Sequence, residues 1–412
     1  MLKTIVLIIL TSMLLTFTYY KVDKPKEVVS VDSQALSKEI NKQFLFAKPG
    51  DVIELPEGRF EFFKSLSLRV SDVTIKGAGK NKTILSFKQQ KQGAEGIIAT
   101  GSNLVFEGFA VEDTRGDGIK VNECSNLSLL NLRVEWTRGP HKKNGAYGLY
   151  PVQCENVLVS GNTVKSASDA GIYVGQSKNV IVKNNLAEYN VAGIEIENTI
   201  GADVFDNVAV HNTGGILIFN MPDLPQPGYG TRIFNNIIKD NNTENFGAEG
   251  TPVASVPAGS GIVINSNDQV EIFNNEISNN KTANVIISSF YSTGYAKKKI
   301  PHTNFDPYPE TIYIYDNLFS GGGDSPDHLE LKALKLAEYG FNGRLPDILW
   351  DGFINPEKAI AGELAKEFAI CIDNPESSMI NVDAANNYKN IRKDLADHSC
   401  HHLKLSPISL TL

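Results

Sequence analysis

A short glycine-led strand recurs along this chain: Gly118-Ile-Lys-Val, Gly148-Leu-Tyr-Pro, Gly171-Ile-Tyr-Val, Gly193-Ile-Glu-Ile, Gly215-Ile-Leu-Ile and Gly261-Ile-Val-Ile, with Asn284-Val-Ile-Ile extending the series. The steps are 30, 23, 22, 22, 46 and 23 residues. A second marker keeps pace, because Asn162, Asn185, Asn207 and Asn275 each fall 14 residues after their glycine, and Asn236 and Asn317 continue it past insertions. Twenty-two or twenty-three residues hold three short strands and three turns, which is one turn of a β-solenoid. Helical repeats would need a 3.6-residue apolar period, and leucine-rich repeats a leucine–asparagine consensus; neither is present. The chain therefore reads as all-β, a single-stranded right-handed parallel β-helix.

Strand alternation divides each repeat into two faces. Positions one and three after the glycine (Ile119/Val121, Leu149/Pro151, Ile172/Val174, Ile194/Ile196, Ile216/Ile218, Ile262/Ile264) form the expected core. The repeated asparagines read as a structural ladder rather than ligands, since an asparagine tolerates left-handed backbone and its amide can bond neighbouring coils. A β-helix exposes unpaired strands at its ends and must cover them. Residues 33–45 carry a helical pattern suited to an N-terminal lid, within a linker-and-lid segment 21–46; the β-helix is expected over 47–320. Residues 321–412 read as a helical and irregular C-terminal cap and tail, with helices over 327–341 and 357–372.

The formal charge of −8 disfavours nucleic acid as a partner, because such binding needs a basic footprint. Lys3 precedes an apolar run from Thr4 to Tyr20, so residues 1–20 read as a signal peptide or an N-terminal membrane anchor and the chain as exported: periplasmic, surface-bound or secreted. Cys371 and Cys400 are expected to form a disulfide in such an oxidising compartment. Cys124 and Cys154 each sit six residues after a glycine and should stack; a bridge and a reduced pair both remain open.

Asp51-Val-Ile-Glu-Leu beside a lid helix, Gly171-Ile-Tyr-Val-Gly-Gln-Ser-Lys-Asn-Val and Gly193-Ile-Glu-Ile-Glu-Asn resemble exported bacterial parallel β-helix repeat proteins. The resemblance runs from about residue 47 to the Cys371–Cys400 tail and implies the fold and export. More distantly the coils are similar to the right-handed β-helix repeats of carbohydrate-binding proteins and sugar hydrolases, and that wider group implies polysaccharide lyases, hydrolases and epimerases. Two departures limit the likeness. The Asp-Pro-His motif of alginate epimerases is approached only by Asp306-Pro307-Tyr308, and the Asp, Asp-Asp, His and Arg-Ile-Lys stations of polygalacturonases are missing.

A site is expected on the outward face of the repeated strand, between Asp117 and Glu197. Two residues after each glycine stand Lys120, Tyr150, Tyr173, Glu195, Leu217 and Val263; four after it stand Asn122, Val152, Gly175, Glu197, Phe219 and Asn265. Insertions on both sides of this strand are expected to wall a groove for polysaccharide. Tyr150 and Tyr173 can stack on sugar faces, with Asp117, Asn122, Arg138 and His141 as further contacts. Glu195 and Glu197 lie two apart on one strand, about 6.6 Å between Cα atoms, near the separation of an inverting glycosidase's acid and base. Two other readings of these residues stay open: Asp169, Glu195 and Glu197 as oxygen ligands for calcium, or lyase chemistry with Lys120 and the Arg138–Lys143 run as the charge clamp. The competing class is a non-catalytic scaffold of the cell envelope, docking a partner through Leu217, Phe219 and Val263. On that reading Glu195 and Glu197 are only a solvated strand face.

Overall fold

A computed structural model describes residues 31–293 and 305–411; the signal or anchor segment expected at residues 1–20 lies outside them. The described chain winds into a right-handed parallel β-helix. Its glycine-led strands and the strands that follow them form one 20-stranded sheet, and the short third strands form a 10-stranded sheet. The first two sets merge because Ile119–Leu130 and Leu149–Ser160 run through both without a break.

Inward positions stack in columns. Ile97, Ile119, Leu149, Ile172, Ile194, Ile216, Ile262, Val285, Ile348 and Met379 follow one another in parallel register, all buried. Each such side chain contributes about 1.5–3 kcal/mol on leaving water. The N-terminal end is covered by helix α1 (Val31–Phe46), whose Ile40 and Phe44 enter the same core.

The expected asparagine ladder forms. Side-chain amides pass from Asn162 through Asn185, Asn207, Asn236, Asn275 and Asn317 to Asn374, each Nδ2 donating to the next Oδ1 at 2.9–3.4 Å. The left-handed backbone, however, belongs to the residue before each rung: Asn184, Asp206, Asn235, Asn274 and Asp316 have φ of 53–55°. A second buried ladder, Asn190–Asn212–Asn241–Asn280, runs along another corner and was not evident from sequence.

Residues 321–412 differ from the expected cap. Helix α2 (Leu329–Tyr339) falls within the first predicted helix, but 357–372 is not helical. It holds two short 3₁₀ turns and the strand Ile370–Asp373, which pairs in parallel with Glu310–Tyr315. Ile348–Trp350 and Met379–Asn381 also continue the stack. The coils therefore extend beyond residue 320. A composition of Ala, Leu, Lys and Glu suggested helix here, and tertiary pairing decided for strand.

Both disulfides are formed, Cys371–Cys400 as expected and Cys124–Cys154 between stacked coils. His398, His401 and His402, near Cys400, hydrogen-bond Ile370 O, Tyr313 Oη and Ala369 O. From Cys400 the tail turns back along the outside of the middle strands. The amides of Leu405 and Ile408 donate to Glu271 Oε1 (3.0 Å) and Asp203 Oδ2 (3.1 Å). No helix among the described residues is long and apolar enough to cross a membrane.

Candidate functional site

Strand register brings the predicted residues together. Lys120, Tyr150, Tyr173 and Glu195 occupy adjacent strands in one row, and Gly175 and Glu197 continue the neighbouring row. Asp169 lies at the entry to the strand Ala170–Gly175, beneath the insertion that precedes Gly148, and its amide bonds Ala146 O.

The insertion also delivers a residue that sequence reading missed. Tyr147 stands one before Gly148, the place Asp117 holds in the preceding coil, and its amide donates to Asp117 Oδ1 at 3.3 Å. Its ring packs 4.5 Å from Tyr150 and 4.4 Å from Tyr173, centroid to centroid. Gly145 fixes the approach, since a Cβ there would lie 1.7 Å from Gly116 O. The only sequence signal was an aromatic at a loop–strand junction.

The three tyrosines cover a group of carboxyls. Tyr173 Oη donates to Glu197 Oε1 at 2.6 Å, and Gln176 Nε2 reaches the same phenol at 3.1 Å. Gln176 was likewise not singled out, because it follows the strand rather than lying on it. Glu195 is 3 % exposed and its Oε2 has no partner, so it is no solvated face. Asp117, Lys120, Tyr150 and Glu197 are half-buried. Lys120 Nζ sits 4.6 Å from the Tyr150 ring centroid.

Burial and mutual repulsion set the protonation. Desolvation pushes Asp117 up to about 6, although the Tyr147 amide and Lys120 pull it back. Asp169 is raised by burial, then by the charges of Glu197 and Asp117. Glu195 is raised well above the usual carboxyl range by burial, Asp169 and Glu197. Glu197 is raised by burial, but its bond from Tyr173 favours the charged form. Like charges this close cannot all ionise, so Asp169, Glu195 and Glu197 retain a proton among them near neutral pH, with the deeply buried Glu195 its best holder.

Other predicted contacts are not brought in. Arg138 and His141 are exposed on the insertion, and His141 Nδ1 accepts from the Lys143 amide. Asn122, by contrast, lies in the row that Gly175 and Glu197 continue, half-buried and with Oδ1 unpartnered. The proposed docking row is not a free surface either: Leu217, Phe219 and Val263 are buried beneath Val253 and Val256 of the 240–259 insertion.

Among the described residues, carboxylate oxygens converge for a metal at Asp268, Asp306 and Glu310, within 4.8 Å of one another, rather than at Asp169, Glu195 and Glu197. This trio could bind a cation, in competition with Lys358, whose ammonium pairs with Asp306 at 2.9 Å and with Glu310. Burial, then repulsion from Glu310 and Asp306, pushes Asp268 up to about 8. The unfolded value is near 3.9, so the folded chain holds an extra proton between about pH 4 and 8, and stability falls as pH rises through that window. Asp268→Asn should flatten this slope, so that its stability relative to the wild type rises by a few kcal/mol from about pH 4 to pH 9, measured by urea denaturation at both pH values.

Comparison with known proteins agrees with this architecture. Residues 67–225 and 142–297 match the family described as right handed beta helix region, and the chain belongs to that family. No curated protein matches it. The A-module of the Azotobacter vinelandii mannuronan C-5 epimerase AlgE4 superposes with a TM-score of 0.51 at 14% identity, covering 84% of this chain and 91% of that one. The AlgE6 A-module of the same bacterium gives 0.48 at 15%, covering 79% and 87%. DFA-IIIase from Arthrobacter chlorophenolicus A6, in complex with DFA-III, gives 0.44 at 13%, covering 81% and 91%. At these identities the likeness is one of fold.

Proposed function

We propose that this chain is an exported protein that binds a neutral polysaccharide over Tyr147 and Tyr150, with Tyr173 buried against them rather than stacking on sugar, and hydrolyses it with Glu195 and Glu197. The observation that carries this reading is the proton-sharing carboxyl cluster beneath the tyrosines. Glu195 keeps its proton and serves as acid; Glu197, which burial raises to about 7 and the Tyr173 bond pulls back, ionises as pH rises through neutral and serves as base for water. Their placement two residues apart on one strand puts both side chains on the same face, the pairing that acid-and-base hydrolysis of a glycoside needs. A neutral glycan is favoured over a uronate because Asp117, Asp169, Glu195 and Glu197 face one nearby cation, Lys120, while Arg138 and His141 point elsewhere. This weakens the lyase alternative, which needs a clamp on a substrate carboxylate. The two disulfides support export.

Glu195→Gln and Glu197→Gln are each expected to lower turnover of a neutral glycan at least 100-fold, with retention in glycan affinity gels unchanged. Reducing-end release across neutral and acidic polysaccharides measures this. Both raised carboxyls place the activity maximum at neutral to mildly alkaline pH. Unsaturated products, or full activity in both variants, would refute the assignment. The deep burial of Glu195 favours one second reading, recognition without cleavage, which predicts glycan retention by the wild type and no products.

A further inference from the structure

One strand beyond Glu197 the same face changes character. Register sets Phe219 beside Glu197, Asn265 beside Phe219 and Ser288 beside Asn265. The inner row continues as Leu217, Val263, Ile286, Leu349 and Ile380. The 240–259 insertion and α2 bridge this stretch and leave a cavity of about 870 Å³, walled by Phe219, Val256, Val263, Ile286, Leu334 and Val382 among others. That volume is in the range of small-molecule sites.

Asn265 also lines the cavity. It is 1 % exposed, and neither its Oδ1 nor its Nδ2 has a partner. Buried carboxamides are normally bonded. Asn198 and Asn220, on the same edge of the sheet, bond loop backbone with both amide groups. Asn265 therefore presents a free donor and a free acceptor to the cavity. A ligand that answers both must itself donate and accept.

Charge narrows the class. Among the described lining residues there is no lysine or arginine, whereas Glu330, Glu338 and Asp351 are present beside one histidine, His328. The Asp351 carboxylate is already bonded by the Ser289 amide, Ser292 Oγ and the Phe353 amide. Among the described lining residues a fatty-acid anion would meet three acids and, as a basic group, His328 alone. We propose that this cavity is a binding site for the aliphatic chain of a neutral amphiphile, with Asn265 bonding the hydroxyl or amide at the head of the chain. The cavity starts about 4.8 Å from Glu197 along the sheet. An alkyl glycoside could thus place its sugar at Glu197 and its chain past Phe219, an extension that rests on the glycan reading above.

The test is titration of the whole chain with N-phenyl-1-naphthylamine, a neutral apolar fluorophore, followed by displacement. Saturable binding is expected, displaced by 1-hexanol roughly tenfold better than by 1-chlorohexane or octanoate. Asn265→Leu should abolish the preference for hexanol over chlorohexane. Leu334→Trp, which fills the cavity from α2, should weaken the fluorophore tenfold or more with circular dichroism unchanged. Absence of saturable binding, wild-type binding in a folded Leu334→Trp protein, or octanoate equal to hexanol would overturn the proposal. Octyl β-glucoside below its micelle concentration should outcompete hexanol, and methyl β-glucoside should not displace the probe. If octyl glucoside binds no better than hexanol, the glycoside extension fails. Glu195→Gln and Glu197→Gln should leave probe binding intact, so a failed hydrolase reading is distinguishable from an empty apolar cavity.

Discussion

Asn207→Ala is expected to lower the unfolding free energy by about 3–5 kcal/mol, far more than a side chain of this size would suggest. Asn207 Nδ2 donates to Val182 O (2.9 Å) and Asn236 Oδ1 (3.0 Å), and its Oδ1 accepts from the Asn185 amide (3.0 Å) and Asn185 Nδ2 (2.9 Å). Alanine removes the rung and leaves several polar groups of the adjoining coils buried without partners. Each such group costs about 1–3 kcal/mol, reduced where neighbours rearrange. Asp206→Ala is the informative control. Asp206 is exposed with φ of 53°, so alanine there should cost about 1 kcal/mol, from backbone conformation alone. Guanidinium denaturation of both variants checks the contrast. Equal, small losses would mean that water replaces the rung.

Loss of the Cys371–Cys400 bridge is the second large effect. It closes 29 residues of chain, and the chain-entropy relation gives about 3–4 kcal/mol for a loop of that length. The double serine variant should unfold at correspondingly lower denaturant. Its tail should also exchange the Leu405 and Ile408 amide hydrogens sooner, because their partners Glu271 and Asp203 are reached only when Cys400 is held against Cys371. Unchanged exchange at those two amides would show that the bonds to the two carboxylates anchor the tail by themselves.

The solenoid was legible because its two signals are local and periodic. A glycine before an Ile-x-Ile strand and a following asparagine, 14 residues on where nothing is inserted, both persist when loops lengthen the interval. The coils after residue 320 were illegible for the opposite reason. Ile348–Trp350 and Ile370–Asp373 follow long irregular stretches and carry no leading glycine, so only their parallel partners identify them. The same limit applied at the candidate site. Glu195, Glu197, Asp169, Lys120, Tyr150 and Tyr173 could be placed together from register, which sequence spacing fixes. Tyr147 could not, because its position depends on how an insertion folds back. Nor could the burial of Leu217 and Val263, because their cover depends on how the 240–259 insertion folds back and on α2, far along the chain. The Arg138–Lys143 run promised a charge clamp by composition, and the loop carries Arg138 and His141 outward instead.

The tail changes how the stack should come apart. In a solenoid each coil touches only its neighbours, so the ends can fray one coil at a time. Asp203, Arg232, Glu271, Tyr313 and Cys371 lie on five successive strands in register. The chain from Cys400 crosses them in reverse, touching Tyr313 through His401, Glu271 through Leu405 and Asp203 through Ile408. Such a crossing strap couples coils that are otherwise strangers. The C-terminal half is then expected to open as a single unit rather than coil by coil, leaving gradual fraying to the helix-capped N-terminal end.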